Sequence, residues 1–183
     1  MKRNLVAAAL LSFSFLACSG PDAEPPTQTP PDTSDDGCLR DKLEQDFGSS
    51  PLQGAGVDAE GNLAPGSYIV SSTWIHRKGT PASEAKFEEL VGPIGEALQS
   101  QPGLVAFRLG SSAHCHVGRT LTVWKDEEAM FQFVGSPAHV EAMAHIGEVS
   151  RGDSVATNWQ DDERGATWEK ALTQLAAETG PTY

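Results

Sequence analysis

At 183 residues, with 25 acidic against 13 basic side chains and a formal charge of −12, the chain is acidic and long enough for one well-packed domain. That balance excludes recognition of nucleic acid or of an anionic lipid surface by charge, since both require a basic face.

The N-terminus reads as an export leader. Met1-Lys2-Arg3 is a short basic segment, and Leu5 to Ala17 is a thirteen-residue apolar run. A helix needs about 20 residues to span a bilayer, so the run fits a signal peptide instead. It ends in Phe15-Leu16-Ala17-Cys18, which resembles the bacterial lipobox, whose cysteine is lipidated and becomes the first mature residue. Residues 1–17 are therefore expected to be a lipoprotein signal peptide, with Cys18 as lipidation site and membrane anchor. Ordinary signal cleavage beside an incidental cysteine is the other reading. In many Gram-negative lipoproteins an aspartate after the cysteine means inner-membrane retention. Ser19 stands there instead, so the expected address is the bacterial cell envelope, lipid-anchored, leaning toward the outer membrane.

Residues 18–37 hold five prolines, several acids and no large apolar side chain after Cys18. Such a segment cannot bury enough surface to offset its ordering entropy and is expected to be a disordered tether. At about 3.1 Å per residue its nineteen residues after Cys18 reach roughly 60 Å. Loss of residues 1–17 removes Lys2 and Arg3 and leaves 11 basic against 25 acidic residues, a charge of −14. Cys38 and Cys115 are then the remaining thiols in an oxidising compartment, and a disulfide between them is one reading, two free thiols the other. Within residues 38–66, Leu39, Leu43 and Phe47 recur at helical spacing and predict a short helix over Cys38–Phe47. Gly48 to Gly66 is glycine-rich and reads as loop.

The regular elements follow. Tyr68 to His76 is β-branched and alternating, a first strand with Tyr68, Val70, Ser72, Trp74 and His76 on one face and Ile69, Ser71, Thr73 and Ile75 on the other. Thr80-Pro81 starts a helix whose apolar stripe is Phe87, Leu90, Val91, Ile94 and Leu98, with a kink expected at Gly92-Pro93. Leu104–Leu109 and Val117–Trp124 are the second and third strands. Asp126 is placed to cap a helix carrying Met130, Phe133 and Val134, and Ser136-Pro137 restarts it. Ser154–Trp159 is the fourth strand, Asp161–Gly165 a polar break, and Thr167–Glu178 a last helix expected on the outside.

The run LTVWKDEEAMFQFV, within TLTVWKDEEAMFQFVGSPAHVEAMAHI, resembles the second half of an antibiotic-biosynthesis-monooxygenase (ABM) domain of the dimeric α+β-barrel superfamily. The element order β-α-β-β-α-β agrees with that superfamily's ferredoxin-like unit. The fold class is thus α+β, with an ABM-like domain over residues 67–160, and residues 161–183 as an added C-terminal helix and tail. The resemblance implies a homodimer in which two sheets pair into a barrel. A sheet with helices on one face also needs cover for the other, which favours a partner on separate grounds.

Heme-degrading members of the superfamily use an asparagine, a tryptophan and a histidine. By resemblance, those positions fall on Ser72, Phe133 and Met143 here, so heme degradation is not expected. Cofactor-free members hold phenolic substrates in aromatic pockets. By resemblance the candidate ligand-binding residues are Ser72, Trp74, Trp124, Phe133, Met143 and Asn158, with His139 as the candidate catalytic group, able to shuttle a proton near neutral pH. A core or helix-terminus role is the competing reading for the aromatics and for His139. In His114-Cys115-His116 an extended backbone points two imidazoles one way and the thiol the other, so no metal site is expected. Arg151-Gly152-Asp153 is an adhesion-like tripeptide by coincidence.

Two functions compete. One is a membrane-tethered, cofactor-independent monooxygenase acting on a small aromatic or quinol-like compound, with no bound cofactor. The other is a non-catalytic envelope lipoprotein module that binds a small hydrophobic ligand or serves a structural role. A pocket between sheet and helices with His139 in its wall would separate them.

Overall fold

The structure is a computed structural model and describes residues 37–183. The leader, the lipidation site at Cys18 and the tether apart from Gly37 lie outside the described residues. Among the described residues no helix is long and apolar enough to cross a membrane.

A five-stranded antiparallel sheet organises the domain, in the order β1-β3-β4-β2-β5. Its strands are β1 (Gly48–Ser49), β2 (Ser67–His76), β3 (Leu104–Ser112), β4 (Val117–Trp124) and β5 (Val155–Asp162). The helices are α1 (Pro81–Ser100), α2 (Glu127–Val134), α3 (Pro137–Ala144), the single turn α4 (Ile146–Val149) and α5 (Trp168–Ala177). The order of the principal elements is the expected α+β ferredoxin-like one. β1 is a short addition at one edge, where Gly48 and Ser49 pair with Ser111 and Gly110 in a stretch whose glycines predicted loop.

Helix starts follow the capping signals. Thr80 caps α1 through a capping box with Ser83, Asp126 accepts from the Ala129 amide, and Ser136 and Thr167 cap α3 and α5. Each oxygen satisfies a backbone donor that the first helical turn leaves without a partner. The helix α1 runs as one element through Pro93. β3 and β5 each extend three residues beyond the predicted ends, so Asp161 and Asp162 belong to β5, paired with Tyr68 and Ser67, and not to a break.

The Cys38–Phe47 segment is not a helix. It crosses the sheet as a strap of turns, with Leu39 and Leu43 each 41% exposed. The reason is Arg119, whose guanidinium takes the carbonyls of Arg40, Leu39 and Lys42 at 3.2, 3.0 and 2.6 Å. Carbonyls turned toward a buried cation cannot also form an i to i+4 ladder. Glu44 completes the site, with its Oε1 2.7 Å from Arg119 Nη2 and both side chains about 1% exposed. Cys38 and Cys115 form a disulfide that fastens the start of the strap, with Cα atoms 5.6 Å apart.

Strand alternation divides the core by face. Ile69, Ser71, Thr73 and Ile75 face the side of α1 to α4. Val70, Ser72, Trp74 and His76 face the strap and α5. The last helix is therefore not an outer addition. Ala166, Trp168 and Ala171 bury Val70, Ala106, Leu121 and Val123, while Leu175 packs with Trp74, Val117 and Val155. The cover that the sheet was expected to receive from a partner is supplied by α5 and the strap.

Candidate functional site

The space between the sheet and α1 tapers from filled to hollow. At one end Trp124 and Phe107 from the strands meet Leu98, Met130 and Phe133 from the helices, all nearly inaccessible. Toward the other end the floor side chains shrink. Along β4 the helix-facing positions run Trp124, Thr122, Thr120, Gly118, and their partners on β3 run Leu104, Phe107, Leu109, Ser111. Small floor residues under a full-sized helix leave a cavity of about 400 Å3. That size lies within the range of small-molecule sites, roughly 300–1,000 Å3.

The roof of the cavity is the α1 stripe Phe87, Leu90, Val91 and Ile94, with Ala142, Ile146 and Val149 closing one side. An amphipathic stripe that would otherwise pack on strand side chains here faces open space, so the walls are almost wholly apolar. The polar group at one end is Arg77. Its Nε donates to Glu84 at 3.2 Å, and its guanidinium carbon lies 4.4 Å from the Phe87 ring centroid. Glu84 is also 3.7 Å from His116 Nδ1. A side chain built on Gly118 would contact the Phe87 ring at 3.7 Å and the Arg77 guanidinium at 3.9 Å, so this glycine keeps the floor open between them. An apolar body and one guanidinium can hold a flat hydrophobic molecule with a hydrogen-bond acceptor at one end.

None of the residues singled out from the sequence lines this cavity. Ser72 and Trp74 point to the opposite face of the sheet. Ser72 Oγ donates to the Thr120 carbonyl at 2.8 Å, and Trp74 Nε1 donates to Glu44 at 3.4 Å. Trp124 and Phe133 are on the helix side but belong to the filled end, their ring centroids 5.4 Å apart. Met143 is half-buried on α3, and Asn158 is exposed on the edge strand β5. The aromatic pair is therefore core, and the cavity floor is made of smaller residues. Gly118, Thr120 and Ser111 carry no chemical motif; the alternate-residue decline in size along β4 was the available signal.

His139 packs edge-on against Phe133 with centroids 5.4 Å apart, outside the cavity wall. Its Nδ1 is buried with no hydrogen-bond partner among the described residues. Burial pulls its pKa below the ordinary value, partly offset by the Val134 carbonyl. The imidazole is aimed at the Phe133 ring and not into the cavity. His145 is the reverse case. It caps the end of α3 between Glu148 and Glu141, at 2.5 and 3.0 Å, and those carboxylates raise its pKa.

The remaining motifs are structural. The Asp46 carboxylate accepts from Ser112 Oγ and the amides of Ala113 and His114, which ties the β3–β4 connection and holds its own pKa low. Cys115 is in the disulfide, and among the described residues no three His, Cys, Asp or Glu side chains group to hold a metal. Asp153 pairs with His76 Nδ1 at 2.8 Å beside β5. A wider depression near α5 is lined by charged and polar side chains, of which Lys170 pairs with Asp161 and Arg164 with Asp162.

No curated protein matches the chain. Among solved structures, Rv0793 from Mycobacterium tuberculosis is similar at 16% identity, over 51% of this chain and 93% of that one, with a TM-score of 0.43. A protein from Caulobacter crescentus described as a candidate antibiotic biosynthesis monooxygenase is 19% identical over 51% of this chain and 88% of its own, at 0.44. SnoaB from Streptomyces nogalater, a cofactor-independent oxygenase, is 17% identical over 52% of this chain and 90% of its own, at 0.38. The family described as antibiotic biosynthesis monooxygenase matches residues 64–145, a span that takes in β2 through α3 and contains the cavity floor and roof. Residues 64–145 thus match the antibiotic biosynthesis monooxygenase family.

Proposed function

We propose that the chain binds a small, flat, largely apolar molecule, of aromatic or quinol-like character, in the cavity between α1 and the sheet. The observation that carries this is the hollow end of the interlayer, with an α1 stripe over Gly118, Thr120 and Ser111. Burying apolar ligand surface there releases about 25 cal/mol per Å2. Arg77, 9% exposed, supplies a donor for a carbonyl or phenolic oxygen at one end. The sequence supports the rest of the setting: removal of residues 1–17, lipidation of Cys18, a Pro-rich leash and an envelope location, with the domain held off the membrane.

A second reading, catalysis, is favoured by the family match over residues 64–145. It takes the ligand to be a substrate that itself reduces oxygen, as a cofactor-independent monooxygenase reaction requires. On the protein side the cavity offers Arg77 to hold an anionic or polarised oxygen and a largely apolar lining, with no imidazole in the wall.

The test is titration of the full chain, in mild detergent, with 1,4-naphthohydroquinone and with naphthalene under anaerobic conditions, followed by calorimetry. Saturable binding that Gly118→Val weakens tenfold or more is expected. Absence of saturable binding by either compound overturns the reading. Oxygen consumption on admission of air, above that of the hydroquinone alone and lost in Gly118→Val, separates catalysis from binding. For the anchor, Cys18→Ser should release the protein from the membrane fraction and lose the acyl mass; unchanged processing and distribution count against it.

A further inference from the structure

Both faces of the sheet are covered from within one chain. On the face away from α1, the side chains of Val70, Ala106, Leu121 and Val123 have no exposed surface. Their cover comes from Trp168 and Ala171 on α5, and farther along from Leu175 and the disulfide. The two covering pieces are also joined to each other. Phe47 on the strap meets Trp168 edge-on at 5.3 Å, and Arg40 Nη2 donates to the Glu178 carbonyl at 3.2 Å. Under the strap, Glu44 and Arg119 form an ion pair with no water access, which a second sheet could not replace without leaving Arg119 uncompensated.

We infer that α5 and the strap take the place of a second copy on this face, so that this chain does not pair sheet to sheet. Two sheets stack about 10 Å apart. A helix with its side chains is itself about 10–12 Å across, so α5 cannot remain in place between two such sheets. Pairing in that manner requires α5 to leave, which would bare Leu121, Val123 and Trp74 and break the contacts with Trp168 and Leu175. Any homodimer of this chain would use a different surface, and the cavity, on the opposite face of the sheet, is lined by residues of a single copy.

Lys170 on α5 provides a reporter, since its ammonium lies 3.2 Å from Asp161 on β5. Full-length chain in mild detergent is mixed with heavy-isotope-labelled chain, treated with a zero-length carbodiimide, and analysed by mass spectrometry. Hydrogen exchange of α5 is followed at low and high micromolar concentration. Lys170–Asp161 links within one isotope only are expected, with α5 amides protected roughly a hundredfold or more and independent of concentration. That pattern upholds the inference whether the particle mass is one chain or two. Links between isotopes would show α5 exchanged between copies. Loss of α5 protection as a two-chain mass appears would show the sheet face in use. Either result overturns the inference.

Discussion

Glu44→Ala should destabilise the domain more than any surface change of equal size. Removing the carboxylate leaves Arg119, about 1% exposed, as an uncompensated charge between the strap and β4. Breaking a buried pair on one side costs about 3–5 kcal/mol. The carbonyls of Leu39, Arg40 and Lys42 still accept from the guanidinium, which places the expected loss near the lower end, about 3 kcal/mol. For a domain of this size each kcal/mol lowers Tm by roughly 2–4 °C, so Tm should fall by about 6–12 °C. Urea unfolding of the oxidised protein, followed by far-UV circular dichroism, measures the difference. The double variant Glu44→Leu/Arg119→Met, apolar and of similar volume, should recover most of the loss, because removing both charges also removes their desolvation cost. A single variant within about 1 kcal/mol of the parent would refute the reasoning, since the pair would then not be organising the strap. A double variant no more stable than the single would refute it too.

The Cys38–Cys115 disulfide closes a loop with a sequence separation of 77, and its reduction should cost about 4 kcal/mol of stability by chain entropy, read as a lower urea midpoint with thiol reductant present. The two imidazoles at the ends of α3 should titrate on opposite sides of 6.5, their ordinary value, as read by proton NMR, with His139 below and His145 above. For His139 the unfolded chain binds the proton more readily, so its contribution is complete above pH 6.5 and is lost as pH falls through the folded value. For His145 the contribution is complete below 6.5 and is lost as pH rises through the folded value, so His145→Gln should lower stability more at pH 5 than at pH 8. Asp126→Ala should remove the cap of α2 and cost about 1 kcal/mol in the same urea assay, leaving the Gly118 cavity and its ligand affinity unchanged.

The order of the elements was legible because each principal one carries a local signal: alternation in Tyr68–His76, the Phe87–Leu98 stripe, oxygen caps at Thr80, Asp126, Ser136 and Thr167. The strap was not, because Leu39, Leu43 and Phe47 have helical spacing, and the competitor for their carbonyls, Arg119, lies some eighty positions away. Alternation also grouped Ser72 with Trp74 correctly, but it does not say which face meets helices. In a sheet covered on both sides either face is apolar, so a tryptophan on β2 looked equally fit to line a pocket or to anchor a core. The cavity itself was marked by the absence of bulk, at Gly118, Thr120 and Ser111. A search for reactive or aromatic groups passes over such positions. His139 has a histidine's chemistry in the right helix, but its ring turns toward Phe133 and leaves the cavity apolar.

If the chain is held from its N-terminus, as proposed above, the disulfide takes on a mechanical meaning. A pull arriving from that side reaches Cys38 and passes through its sulfur to Cys115, two residues before β4, a strand flanked on both sides by β3 and β2. The load enters the middle of the sheet through a covalent bond, and the turns from Leu39 to Phe47 lie off the line of force. Reduction would reroute the same tension through the strap, peeling its hydrogen bonds from Arg119 one after another instead of shearing the strand ladder together. Under tension on the proposed leash, the bond would set which part of the fold yields first.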